Sequence, residues 1–282
     1  MLEPIAIRRL PVVALAASGL VLTACQEEPE TTPAAPPPAA RPTSAPATPP
    51  TPPVLSRADL IQAAEAAASA YAAGGAADRD SLSGRRFAVR QAFGCQGAAP
   101  APAPAAAEDA AGDGLARWSW GAERKTLRLS LTPGDWTQSA LISGGDAGWE
   151  AVEGFWLNRP WMRAEGCPAA QGDPLASGPA APSPQTVGLA AVHEQDGSRL
   201  GRRNGRAYSF VVRGEGDQPA AAPVGGYRLV LEGRLTAFPD GRAFQCRATS
   251  PDQRPVCVAA AQIDRVAFED AAGAVLSEWR PG

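Results

Sequence analysis

The chain has 282 residues, 45% hydrophobic and 20% charged, with 29 prolines and 29 glycines, so about a fifth of it is Pro or Gly and part of its length lies outside any packed core. Its 26 basic residues, all but one of them arginine, stand against 29 acidic ones for a formal charge of −3, which supplies no general basic field and argues against a nucleic-acid partner. No phosphate loop, dinucleotide-binding glycine fingerprint, HExxH or GxSxG motif occurs, and no cofactor is expected.

Arg8 and Arg9 precede an uncharged apolar run over 10–24 that ends in Leu22-Thr23-Ala24-Cys25. At about 15 residues the run is shorter than the roughly 20 a membrane-spanning helix needs, and its layout is that of a signal peptide over 1–24. Basic residues, apolar run, small residues and cysteine in this order resemble the lipobox region of bacterial lipoproteins, a resemblance confined to the first 25 or so residues. It implies that Cys25 carries diacylglycerol and an N-acyl group, and three chains at about 0.8 kcal/mol per buried methylene hold a protein firmly to its membrane. Gln26 follows, where Asp retains Gram-negative lipoproteins in the inner membrane. The resemblance therefore implies a periplasm-facing anchor in the outer membrane.

Residues 26–55 contain 11 prolines, with Ala and Thr in most of the gaps. Proline fixes φ and removes backbone donors, so 25–55 reads as a disordered, extended tether reaching about 90 Å at roughly 3.1 Å per residue. The folded part is expected over 56–282. Ser56-Arg57-Ala58-Asp59 has the form of a capping box, Leu55 and Leu60 that of a hydrophobic staple, and Leu60, Ile61, Ala64, Ala68 and Tyr71 recur on one helical face before Gly74-Gly75.

From residue 85 the period changes to two. Phe87, Val89 and Phe93 alternate with polar or small residues, Trp118 and Trp120 share a face, and Leu127, Leu129 and Leu131 alternate with Arg128 and Ser130. Further strands are expected over 140–142, 149–157, 187–194, 207–213, 227–238, 243–248, 256–268 and 274–279. Asn204-Gly205 and Pro239-Asp240-Gly241 supply turn chemistry. Loops rich in Ala, Pro and Gly interrupt at 98–114, 168–184 and 216–226. The fold expected is mainly β, an antiparallel β sandwich or barrel-like domain with one N-terminal α-helix; the alternative sets 225–282 apart as a small carboxy-terminal β unit.

With Cys25 lipidated, Cys95, Cys167, Cys246 and Cys257 remain, an even number in a compartment that permits disulfides. Cys246 and Cys257 flank a ten-residue connection between neighbouring strands and are expected to pair, leaving Cys95 with Cys167. No CxxC occurs and His193 is the one histidine, so no metal site is expected.

His193 falls at a strand end and reads as solvated, not as a catalytic base. Glu150 and Glu153 lie among tryptophans as glycan-cleaving carboxylates would, but residues three apart on a regular strand face opposite ways and cooperate only across a bulge. Four of the seven tryptophans fall within 136–161. Most of this aromatic mass reads as core, while Trp136 and Trp161, with Arg159 and Arg163 beside them, form a candidate surface for sugar rings or a partner protein. Arg199, Arg202, Arg203 and Arg206 cluster at the Asn204-Gly205 turn as a basic hairpin tip suited to lipid phosphate or cell-wall carboxylates. The function expected is therefore a non-enzymatic, lipid-anchored β domain that binds or scaffolds an envelope component, cell wall or envelope protein. The alternatives are an envelope enzyme acting on glycans, and a protein inhibitor or assembly accessory.

Overall fold

The computed structural model describes residues 51–75, 82–99, 112–142, 148–168, 185–214 and 218–281. The expected signal peptide, Cys25 and nearly all of the tether fall outside these residues, as does most of the loops expected over 98–114 and 168–184.

Helix α1 (Arg57–Ala72) starts on the capping box. The Asp59 amide donates to Ser56 Oγ at 3.3 Å, and the Ser56 amide donates back to the Asp59 carboxylate at 2.7 Å. Leu60, Ile61, Ala64 and Ala67 form its buried stripe, and Gly74 at φ 69° lets the chain leave the helix.

Among the described residues twelve strands run in chain order: β1 (Leu55–Ser56), β2 (Arg86–Phe93), β3 (Ala116–Trp120), β4 (Thr126–Leu131), β5 (Gly134–Asp135), β6 (Trp149–Trp156), β7 (Val187–Glu194), β8 (Tyr208–Arg213), β9 (Tyr227–Leu235), β10 (Phe244–Arg247), β11 (Val256–Glu269) and β12 (Val275–Trp279). Nine make one sheet in the order β1-β2-β9-β11-β7-β6-β5, with β10 and β12 also on β11; β3, β4 and β8 make a second. The domain is mainly β and sandwich-like, with mixed strand directions. The pairings β1 with β2 and β7 with β11 are parallel, and the other strand pairings are antiparallel. Residues 140–142, expected as a strand, are a turn whose Ile142 is buried, and the short strand of that region is β5. Residues 225–282 make no sheet of their own, since β9 to β12 belong to the large sheet. Strands β9 and β11 occupy the middle of the large sheet, between β2 and β7.

Alternation along the strands builds two apolar layers. Phe155 of β6, Leu189 and Ala191 of β7, and Ala259 and Ala261 of β11 face inward, onto Leu60 and Ile61 of α1 and Leu127, Leu129 and Leu131 of β4. Their neighbours Val152, Ala190, Val258 and Ala260 face outward and are covered by Trp136, Ile142 and Phe238.

The ends of the strand order approach one another. Gln91 of β2, itself buried, donates to the Trp156 carbonyl and accepts from the Asn158 amide, both at 3.0 Å, so its amide group does the work of a strand pair at the end of β6. Arg57, 2% exposed, reaches the same segment and donates to the carbonyls of Asn158, Arg159 and Met162. The large sheet thereby curls toward closure.

Candidate functional site

Strand β11 is 14 residues long and holds two strands in tandem on one edge. Strand β7 pairs with it as far as Ala261, and β12 begins at Val266. Over 262–265 that edge carries no strand among the described residues, and a cleft of about 530 Å³ opens at the fork. Phe155, Tyr208 and Trp279 line it, and the 199–206 segment between β7 and β8 roofs it.

Two carboxylates of β6 hold that roof down. The pairing of β6 with β7 slips at Glu150, since Trp149 faces Glu194 and Ala151 faces His193. This bulge overturns the expectation that Glu150 and Glu153 work on opposite faces. Glu150 accepts from Arg199 Nε at 3.0 Å and Arg202 Nη1 at 2.8 Å, while Glu153 Oε1 accepts from the amides of Arg203 and Asn204 at 2.7 and 2.8 Å. Asn204 at φ 51° and Gly205 at φ 76° make the left-handed turn that aims those two amides at one oxygen. The Arg203 guanidinium lies over the Tyr208 ring, 4.5 Å from its centroid. The four arginines expected as a basic hairpin tip are thus part of a strap folded back on the domain, because two carboxylates beneath it take the side chains of Arg199 and Arg202 and the amides of Arg203 and Asn204.

Glu153 is 7% exposed, and its pKa is raised by burial against the pull of the two amides. His193 is corrected from solvated to nearly buried. Its side chain is 12% exposed, its Nε2 is 4.0 Å from Glu153 Oε2, and that nitrogen is buried without a hydrogen-bond partner. Burial first, then the Arg202 charge, pulls its pKa down. Tyr208 is pushed up to about 12 by burial and by the Glu153 charge, Arg203 opposing.

The aromatic surface divides. Trp136 is 8% exposed, lying over Gly154 and Gly188 with its ring 4.6 Å from that of Trp156, so it belongs to the outer layer and not to a binding face. Trp161 is 54% exposed, on the loop that Arg57 clamps. Arg159 Nη1 contacts Cys95 Sγ at 3.7 Å, and Arg163 pairs with Glu65 at 3.8 Å. The four cysteines form Cys95–Cys167 and Cys246–Cys257, the second pair facing each other across β10 and β11.

Among the described residues no group of three His, Cys, Asp or Glu side chains is placed to hold a metal ion, and no helix is long and apolar enough to cross a membrane. Compared with protein-family models, curated proteins and solved structures, the chain matches none.

Proposed function

We propose that the chain is a lipoprotein held by lipid on Cys25 to the periplasmic side of the outer membrane, and that its β domain is a non-enzymatic binding module whose cleft takes an anionic component of the envelope. The observation that carries the binding part is a contrast of charge. Six arginines and three carboxylates line the cleft, a formal +3 on a chain whose total is −3. Arg203 and Arg206 are the cations open to a ligand. Their side-chain hydrogen bonds go to the main-chain carbonyls of Arg206 and Ala207 and of Arg203, so among the described residues no carboxylate touches either guanidinium. A guanidinium with free donors recognises carboxylate or phosphate through paired hydrogen bonds.

Retention on isolated cell wall and on anionic lipid vesicles tests this reading. Wild type is retained on one of them, and Arg203→Ala/Arg206→Ala is released at moderate salt; equal retention of the two proteins removes the cleft from the account. A fatty-acid probe fed to cells labels the wild type and not Cys25→Ser, and an unlabelled wild type defeats the anchor.

The bulge at Glu150 favours a second reading, an envelope enzyme acting on glycans, because it brings Glu150 and Glu153 to one loop. Glu153→Gln with undiminished release of sugar from cell wall, or no release by wild type, dismisses it.

A further inference from the structure

We propose that the cleft takes up its anion together with a proton, that Glu153 is the group that accepts the proton, and that the 199–206 strap loosens when it does. The inference rests on the binding reading above and adds a linkage to it.

Glu153 is set apart by the company of its neighbours. Around it stand Asp135 of β5, His193 of β7, Tyr208 of β8, and Arg202 and Arg203 of the strap; Glu150 lies on the same strand, and Glu194, Asp264 and Arg265 line the same cleft. Asp135, Glu150 and Asp264 each have a partner of their own. Asp135 takes the Thr137 amide at 3.0 Å, Glu150 takes two arginines, and Asp264 pairs with Arg234 at 3.8 Å. Arg265 is held between Glu232 and Glu278 at 2.9 and 2.8 Å. Among the described residues Glu153 has the two strap amides and no side-chain hydrogen bond, and its second oxygen lies 4.0 Å from the unpartnered Nε2 of His193.

A second anion brought against Arg203 adds its charge to that of Glu153, whose buried carboxylate lies beneath the same strap and feels the Arg203 charge. Like charges so placed favour the neutral form of the titrating one, and the proton resolves the conflict. Proton binding and anion binding then strengthen each other by the same factor. On protonation one carboxylate oxygen becomes a hydroxyl, the charge-assisted hold on the Arg203 and Asn204 amides weakens, and the roof lifts from the mouth of the cleft. Burial of Glu153, which already favours its neutral form, works in the same direction.

Sulfate is the probe, because it stays doubly charged from pH 5 to 8 and brings no titration of its own. Calorimetric titration of the full chain in detergent, in two buffers of different ionisation enthalpy, reads affinity and proton uptake together. Sulfate affinity is expected to rise by about three- to tenfold from pH 7.5 to 5.5, with uptake of up to about one proton. Glu153→Gln is expected to bind at pH 7.5 as wild type does at pH 5.5, with no slope. Amide exchange at Arg203 and Asn204, corrected for intrinsic rates, is expected to accelerate on acidification in wild type alone. Equal wild-type affinity at the two pH values, or a slope that survives in Glu153→Gln, overturns the coupling and leaves the binding site standing. Absence of sulfate binding at every pH overturns the binding reading beneath it. Should Glu153→Gln not fold, wild-type proton uptake and amide exchange decide.

Discussion

Glu153 Oε2 and His193 Nε2 lie 4.0 Å apart on adjacent strands, close enough for each to feel the other's charge and too far for a hydrogen bond. Their environments give opposite dependences of stability on pH. The folded pKa of His193 lies below the ordinary 6.5, so the native state binds fewer protons than the unfolded chain under that pH. Its stability is complete above about 6.5 and declines as pH falls toward the folded value. Chemical denaturation at pH 5, 6 and 7.5 is expected to show that decline in wild type and a shallower one in His193→Gln.

For Glu153 the sign reverses. Its folded pKa lies above the ordinary 4.5, so the native state binds more protons between the two values, and stability falls as pH rises through the folded one. Glu153→Gln, which keeps an acceptor for the two amides, is expected to raise the denaturation midpoint at pH 7.5 and to leave it unchanged near pH 4.

Arg57 spends a buried charge on a loop about a hundred positions away. Arg57→Ala leaves the carbonyls of Asn158, Arg159 and Met162 without their donor, and a loss of about 2–4 kcal/mol is expected from thermal or chemical unfolding. Arg57→Lys, with one compact ammonium in place of a planar fork, is expected to recover part of that loss. Quenching of the exposed Trp161 by acrylamide follows the mobility of the loop.

Trp136 leaves no room for side chains beneath it. A Cβ on Gly154 would stand 2.0 Å from the indole and one on Gly188 2.7 Å from it. Gly154→Ala therefore displaces the ring, at about 1–3 kcal/mol for overpacking, and alters the near-ultraviolet circular dichroism.

Removing Cys246–Cys257 as a double alanine variant is expected to cost about 3 kcal/mol by loop-closure entropy, and removing Cys95–Cys167, which closes the longer loop, about 4 kcal/mol. Midpoints with and without reductant measure both.

The parts of the fold that depend on neighbours in sequence could be read from it. Ser56 and Asp59 announce the helix start, Leu127, Leu129 and Leu131 the half-buried strand, and the short span between Cys246 and Cys257 their pairing. Long-range compensation could not be read. Arg57 resembles any first-turn arginine until the loop over 158–164 reaches it. The bulge at Glu150 has neither glycine nor proline to mark it, so strand parity misplaced the carboxylate and left the arginine turn without its counter-charges. Two signals were present and passed over. His193 shares the parity of Leu189 and Ala191, which face the interior. The unbroken apolar runs Val187-Gly-Leu-Ala-Ala191 and Val256-Cys-Val-Ala-Ala-Ala261 are those of strands covered on both faces, the usual setting of parallel pairs.

The stitch made by Gln91 has a consequence for company the molecule keeps. A nine-stranded sheet left flat would offer two long rows of vacant amides and carbonyls to any extended chain nearby, the route by which β proteins nucleate aggregates. Here the terminal strands β1 and β5 are two residues each, and the amide group of a single glutamine ties β2 to the end of β6. Alanine-rich strands such as β11 then stay sheltered at the centre, and charged residues stand on short outer strands, Asp135 on β5, Arg247 on β10 and Glu278 on β12.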